Sequence, residues 1–334
     1  MTREPLRLRN VSLSDIAKRH GLELIGSDRE VSFLARLKTT IDADGDVLTY
    51  VTSPGFLDAF AGSQHEAAVV ERRFSPGQAI AGKSMLMCPD MQGEDTFFRI
   101  HMDLVGNGQV VTVDPHLGER ARIHPSAVVM ENTQIGDDVV IEANAVIYPN
   151  TIIGDRAFIK PNASIGGEGF EIKYIDSRIT LIPHSGGVEL GPDTLVGSST
   201  CIDRGLFGSF TTIGSGTKID NLVHVGHNTE MGADCALVAS AEIGGSSRLG
   251  RGVWIGGNAS CNPEVEFGDY SYVGTGSVVV RDVPAFTLVA GSPARVFGYV
   301  CRCRTKLNLD EDDACPKCGT RYLMSDSGDI GFKE

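Results

Sequence analysis

A mainly β fold is predicted from this sequence: a left-handed parallel β-helix set between a small α/β domain and a Cys-rich tail. Three observations carry that reading. Every sixth residue from Ile213 is apolar, through Ile219, Val225, Met231, Leu237, Ile243, Leu249, Ile255, Cys261, Phe267 and Val273 to Val279, and Gly follows most of them. The same step runs without a miss from Ile123 through Val129, Ile135, Ile141, Ile147, Ile153 and Ile159 to Ile165. A period of six fits neither the 3.6 of an α-helix nor sustained strand alternation, and it is the mark of hexapeptide repeats that wind as a parallel β-helix. Each short strand sends one aliphatic chain inward, and the corners demand small residues or positive φ, both of which Gly supplies. The third observation is two close Cys pairs near the end of the chain, Cys301/Cys303 and Cys315/Cys318.

Taken in order, residues 1–108 do not repeat and read as an α/β domain. Ser12-Leu13-Ser14-Asp15 opens an amphipathic helix with a capping residue in place. Val47–Val51, Ala67–Glu71 and Met85–Cys88 are apolar, strand-like runs. Ser53-Pro54-Gly55 reads as a turn before a short helical segment from Phe56, and a further helix starts at Asp95.

Residues 109–298 form the repeat region. The period breaks at Gly166-Gly167-Glu168-Gly169-Phe170, passes through a polar insertion to about Gly187, and resumes at Leu190, Val196 and Ile202. A second insertion, Gly205–Ser209, precedes Ile213. Loops thrown out of a regular solenoid cost little closure entropy and commonly carry function. With three faces per coil the stretch predicts roughly eight coils. It ends where Asp282-Val283-Pro284 breaks the pattern.

Residues 299–334 hold four Cys at the spacing of a tetrathiolate metal site, so Cys301, Cys303, Cys315 and Cys318 are the expected ligands of a structural Zn²⁺ or iron ion. So short a segment has no core of its own, and metal binding would supply its folding energy. With four sulfur ligands no position stays open for catalysis. The other four of the eight Cys stand singly in apolar surroundings, as small hydrophobes do in a reducing compartment.

Composition narrows the function. A formal net charge of −13 with no basic run argues against nucleic acid as a partner. No apolar run approaches the ~20 residues of a membrane span, and Met1–Pro5 lacks a signal core, so the cytoplasm is the expected address.

The most chemically loaded segment is Asp220-Asn221-Leu222-Val223-His224-Val225-Gly226-His227-Asn228. The register turns Val225 inward, so its polar neighbours project outward, towards grooves between prisms. His224 and His227 titrate near neutrality and are the candidates for a general base, with Asp220 and Asn221 adding an acid and an amide. Surface histidines on a solvated face are the competing reading, and spacing alone does not separate the two. The Gly166–Phe170 segment lacks the Lys-Ser/Thr and the helix signal of a phosphate-binding loop. His20, His65, His101, His116, His124 and His184 have no partners by spacing and read as structural.

Over nearly all of residues 10–280 the chain resembles the UDP-3-O-acylglucosamine N-acyltransferase family of the lipid A pathway. The residues that carry the resemblance are Leu48–Phe56 (LTYVTSPGF), His124–Val128, Ile165–Phe170, Cys201–Gly205, Ile219–Asn221 and Gly226–Asn228. It implies a homotrimer with active sites in grooves between prisms, and an acyl thioester that reacts with the amine of a UDP-linked amino sugar. His227 matches the general base, Asp220 and Asn221 its substrate-side neighbours, and Gly245 a backbone N–H that holds the oxyanion. Tyr50, Ser53 and Phe56 fall where the family holds the uracil ring, and His224 at a polar substrate-side position. Three departures stand out. The family usually has Asn where Ser53 stands, and a second His where Glu264 stands. Its C-terminal helices, which bind acyl carrier protein, give way here to Val289–Val296, similar to the closing loop of acetyl-CoA-dependent sugar acetyltransferases.

The expected function is therefore N-acyl transfer to a UDP-amino sugar, with acetyl-CoA as donor. The alternative keeps the chemistry and takes a hydroxyacyl chain from acyl carrier protein. Two readings from other classes are weaker. A zinc hydratase of this fold needs three converging His, and the segment offers two. A non-catalytic scaffold would have no use for the Asp220–Asn228 segment or the uracil-like motif.

Overall fold

The computed structural model describes residues 4–39, 41, 43–74, 80–309, 313–325 and 330–332. Its N-terminal part is a five-stranded sheet in the order Glu23–Ile25, Ser84–Cys88, Ala67–Glu71, Asp46–Val51, Val31–Leu34. All neighbours are parallel except the first pair. Of the three inner strands, Ser84–Cys88 and Ala67–Glu71 bury every residue, which is why they read as unbroken apolar runs. Three helices flank them. Leu13–His20 starts where Ser12 Oγ accepts the Asp15 N–H and stops at Gly21, whose φ of 64° few other residues tolerate. The segment Ser53-Pro54-Gly55, expected as a turn, is the start of helix Pro54–Gly62: Ser53 caps it and Pro54 takes the first position, where no N–H is needed. The third helix, Gly93–Gly106, begins two residues before the expected Asp95.

Three parallel sheets then wind around one aliphatic stack. The first face begins at Arg122–Ile123, the second at Val128–Val129 and the third at His116–Leu117, one strand earlier than the apolar count from Ile123. The second and third faces have eight strands each, which gives the eight coils expected. Registers advance without slippage at the inward positions. Ile147 sits under Ile165, Ile165 under Ile202, and Ile202 under Val225, although an insertion lies within each of the last two pairs. These inward residues are almost fully buried. Each contributes about 1.5–3 kcal/mol by leaving water, so one stack holds the prism without any second layer.

The corner glycines have a more specific cause than the sequence distinguished. A Cβ on Gly214 would stand 2.4 Å from the carbonyl carbon of Gly232, and one on Gly226 would stand 2.6 Å from the nitrogen of Gly245. No side chain fits between coils so close. Positive φ falls instead two residues later, on Asn228 at 58°, Asp234 at 61°, Ser246 at 60° and Asn258 at 53°. Short polar chains tolerate that region best after Gly.

Both insertions face the N-terminal part. The first folds as a hairpin, Ile172–Ile175 against Arg178–Leu181. Its Ile175 and Ile182, with Leu206 and Phe207 of the second insertion, join one buried cluster with Phe97, Phe98, Ile100 and Leu104. The insertions thus fix the α/β part against the side of the β-helix. At the far end, Thr287–Gly291 continues the first face and turns back as Ala294–Val300. There Phe286, Leu307, Tyr322 and Ile330 pack around the Cys-rich tail. Cys201, expected as a buried thiol, is exposed on the outer side of the second face.

Candidate active site

His227 occupies the corner between the second and third faces, directly under Gly245 of the next coil. The Leu206 main-chain N–H donates to Asn228 Oδ1 at 2.9 Å, so that oxygen is an acceptor. His227 Nδ1, 2.9 Å from the same oxygen, must then carry its proton, which leaves Nε2 as a bare lone pair. Burial is the largest influence on this imidazole and lowers its pKa below 6.5, with His184 adding to the effect. At neutral pH the ring is therefore uncharged and able to accept a proton.

His184 and Glu171 close around it, each held by further charged groups. The His184 ring meets the His227 ring edge to face at 5.0 Å. His184, read from spacing as structural, thus belongs to the site. Its main-chain N–H and Nδ1 approach Glu168 Oε2 at 2.9 and 3.4 Å. Glu171, on the hairpin insertion, places Oε2 3.7 Å from His227 Nε2, and its Oε1 lies 3.0 Å from Arg36 and 3.3 Å from Lys173. Sequence reasoning missed Glu168, Glu171 and His184 because they lie in the stretch where the period fails. The break itself was the available signal.

Gly245 is required here on contact grounds: a Cβ would stand 2.9 Å from His227 Nε2. Its N–H has a further property. At other corners an acceptor side chain from the coil above caps this kind of N–H, Asp155 on Asp137, Asp269 on Arg251 and Asn221 on Ser198. Above Gly245 the place is taken by Pro263, which has no such side chain. Among the described residues the Gly245 N–H thus has no such cap and lies beside the base.

The site opens between the α/β part and the prism. A cavity of about 130 Å³ is lined by His227, Asn228, Arg36, Phe207, Ser246 and Arg248. It continues through Arg36, Ser246 and Arg248 into a groove of about 450 Å³ that Tyr50, Phe56, Lys38 and Glu264 border. The Tyr50 ring packs on Phe97 at 4.9 Å and its hydroxyl lies 3.4 Å from Glu94. Burial pushes that phenol up to about 12, so it stays neutral. Ser53 Oγ is engaged in capping its helix rather than lining the groove. Arg36 ties Glu264 at 3.2 Å, so the residue that departs from the family pattern forms part of the groove wall.

Three expected site residues stand elsewhere in a single chain. Asp220 and Asn221 lie at the corner between the first and second faces, where Asp220 Oδ1 accepts the Asn221 N–H and Asn221 Oδ1 accepts the Ser198 N–H. His224 projects from the second face, its Nε2 3.6 Å from Asp203 Oδ2. Burial raises that aspartate to about 6.

In the tail the four Cys Sγ atoms lie within 4.8 Å of one another. Cys301–Cys318 and Cys303–Cys315 are separated by 3.4 and 3.6 Å. Those spacings are too long for a disulfide and close to the ~3.8 Å edge of a tetrahedron with metal–sulfur bonds of about 2.3 Å. The Tyr322 hydroxyl and the Cys303 N–H both approach Cys301 Sγ, the kind of outer contact that orients thiolate ligands. The residues fit the metal.

Comparison with known proteins adds the following. The family described as bacterial transferase hexapeptide (six repeats) matches residues 114–148 and 132–167. A protein of Nitratidesulfovibrio vulgaris named UDP-3-O-acylglucosamine N-acyltransferase is 38% identical over 267 residues, covering 71% of this chain and 74% of that protein. One of the same name from Caulobacter is 39% identical, and the match covers 39% of this chain and 38% of that protein's length. Among solved structures, a UDP-N-acetylglucosamine O-acyltransferase from Moraxella catarrhalis is 28% identical with a TM-score of 0.46, covering 56% of this chain and 75% of that one. Among the described residues no helix is long and apolar enough to cross a membrane.

Proposed function

The chain belongs to the UDP-3-O-acylglucosamine N-acyltransferase family, and from that premise we propose that it transfers an acyl group from a thioester to the amine of a UDP-linked amino sugar, with His227 as general base. The single observation that carries this reading is the His227 site. It has a buried, neutral imidazole with a fixed Nδ1–H and a bare Nε2, next to an uncapped backbone N–H. The amine nitrogen attacks the thioester carbonyl and a C–N bond forms. His227 Nε2 takes the proton that nitrogen sheds. The Gly245 N–H supports the oxyanion. The intermediate collapses, the C–S bond breaks, and the proton passes from the imidazolium to the departing sulfur.

The relatives' names favour an acceptor that already carries an O-acyl chain, which was the alternative reading, over the acetyl-CoA-dependent one. Tyr50 and Phe56 at the groove mouth suit the uracil ring, and the cations Arg36, Lys38 and Arg248 suit the diphosphate. Donors of this kind, acetyl-CoA or an acyl carrier protein thioester, are cytoplasmic, which agrees with the expected address. A homotrimer is part of the proposal, because Asp220 and Asn221 can reach His227 only from a second copy. Zinc or iron on Cys301, Cys303, Cys315 and Cys318 would be structural, since four sulfurs fill a tetrahedral shell.

The test is mass spectrometry of products from UDP-amino sugars, with and without a 3-O-acyl chain, offered with acetyl-CoA or hydroxyacyl carrier protein. Acyl transfer to nitrogen on the O-acylated acceptor is expected. No N-acylated product from any pair refutes the proposal.

A further inference from the structure

The geometry points to Glu171 as the residue that selects an amine over a hydroxyl in the acceptor, an inference that rests on the proposed acyl transfer. Two acceptors face one gap. His227 Nε2 is a lone pair because Nδ1 donates to Asn228, and Glu171 Oε2 lies 3.7 Å away. The two oxygens of Glu171 are used differently. Arg36 and Lys173 both hold Oε1, while Oε2 is turned to the histidine. The side chains of both residues are mostly buried, at 13% and 15% exposure, so a group placed between them is largely withdrawn from bulk water.

An atom 2.9 Å from both acceptors would see them at an angle of about 80°, within what two hydrogens on one nitrogen can serve with modest bending. A neutral amine has two N–H groups and a lone pair. It can donate one hydrogen to His227, which removes it, and the other to Glu171, while its lone pair attacks the carbonyl. A hydroxyl has one hydrogen. Placed in the same gap, it satisfies His227 and leaves Glu171 Oε2 without a donor, although Arg36 and Lys173 still hold Oε1. A site built to bond a group rejects the analogue that lacks it, because a buried acceptor is then left unpaired. The carboxylate also favours the nitrogen as positive charge develops on it, which a more distant acid would do less well. Glu171 comes from the insertion, not from the repeat. The prism supplies the base, and the loop supplies the discrimination.

The experiment measures binding by calorimetry, without donor, of a UDP-2-amino sugar and of its 2-hydroxy counterpart. Wild-type protein should bind the amino compound about 10- to 100-fold more tightly, the size of one hydrogen bond to a charged group. In Glu171→Gln and in Glu171→Ala the ratio should fall to near one, and Glu171→Asp should keep part of it. Circular dichroism melts of each variant show whether the hairpin still holds the fold. A ratio that survives in folded Gln and Ala variants overturns the assignment, and so does a wild type that does not discriminate. Because no acyl transfer is read, a failure of the proposed reaction shows separately, as discrimination in binding without product.

Discussion

Replacement of His227 by Ala tests the centre of the mechanism. Loss of a positioned general base costs typically 10²–10⁴ in rate, or about 3–5 kcal/mol of barrier at 1.36 kcal/mol per decade. Within the protein the ring bonds Asn228, and its single contact to the acceptor nitrogen strengthens as the proton leaves, so it contributes more to the transition state than to the ground state. The loss should therefore appear in kcat, with KM changed little. The pH profile gives a second reading. Burial lowers the His227 pKa from 6.5, so the imidazole protonates, and the base is lost, only as pH falls below that value. The acid limb of kcat should sit below pH 6.5 in the wild type and vanish in the variant. Steady-state thiol release from pH 5 to 9 measures both. Asn228→Ala adds a control on the tautomer. It removes the acceptor that fixes Nδ1–H, and it should lower kcat by about 10- to 100-fold with the imidazole still present. A His227→Ala protein with kcat within threefold of wild type, or with its acid limb unmoved, refutes the base assignment. The thioester sulfur would then take the proton without protein help.

Gly245→Ala places a Cβ 2.9 Å from Nε2, so the ring must shift; kcat should drop about 100-fold while the melting temperature stays near wild type. An unchanged kcat would show that the ring has room the structure denies it. Tyr50→Ala should raise KM for the UDP-sugar about tenfold with kcat nearly constant, because stacking far from the reacting bond is uniform binding; an equal fall in kcat at constant KM contradicts this. Purified protein should carry about one metal per chain, and Cys315→Ser should release it while the β-helix stays folded, as elemental analysis and circular dichroism would show. His101 packs on Phe207 at 4.9 Å, Nε2 on Pro183 O, and burial lowers its pKa from 6.5 to about 4. The unfolded chain binds this proton first as pH falls, so stability is full above pH 6.5 and declines to about pH 4, by roughly 3 kcal/mol, and His101→Gln should flatten that slope in urea melts.

The prism was legible because its cause is local. One inward residue per six fixes each strand, and a slip of one would turn Ile147 or Val225 to solvent, so the pattern admits one register. The tail was legible for a similar reason, as four thiols at close spacing have few other uses. The insertions were not. Glu171 reaches His227 across 56 positions, and Arg36 reaches Glu171 across 135, through contacts that no period encodes.

The segment Asp220–Asn228 shows where adjacency in sequence misleads. On paper an acid, two amides and two histidines share nine residues and invite reading as one constellation. The winding separates them. Two corners and the strand between them carry Asp220 and Asn221 to one corner, His224 to a face and His227 to the next corner, because each strand spends only two residues before the chain bends. Within one chain the neighbours of His227 come from further away: Asn228 beside it, Gly245 above it, and His184 and Glu171 from the insertion. Asp220 and Asn221 can complete that set only across a groove, from a second prism whose first corner meets the second corner of its neighbour. In the trimer proposed above, a closed ring of three copies would give every His227 such a partner. Light scattering should therefore return three times the 35.6 kDa of one chain, and a monomer active at full rate would remove Asp220 and Asn221 from the site.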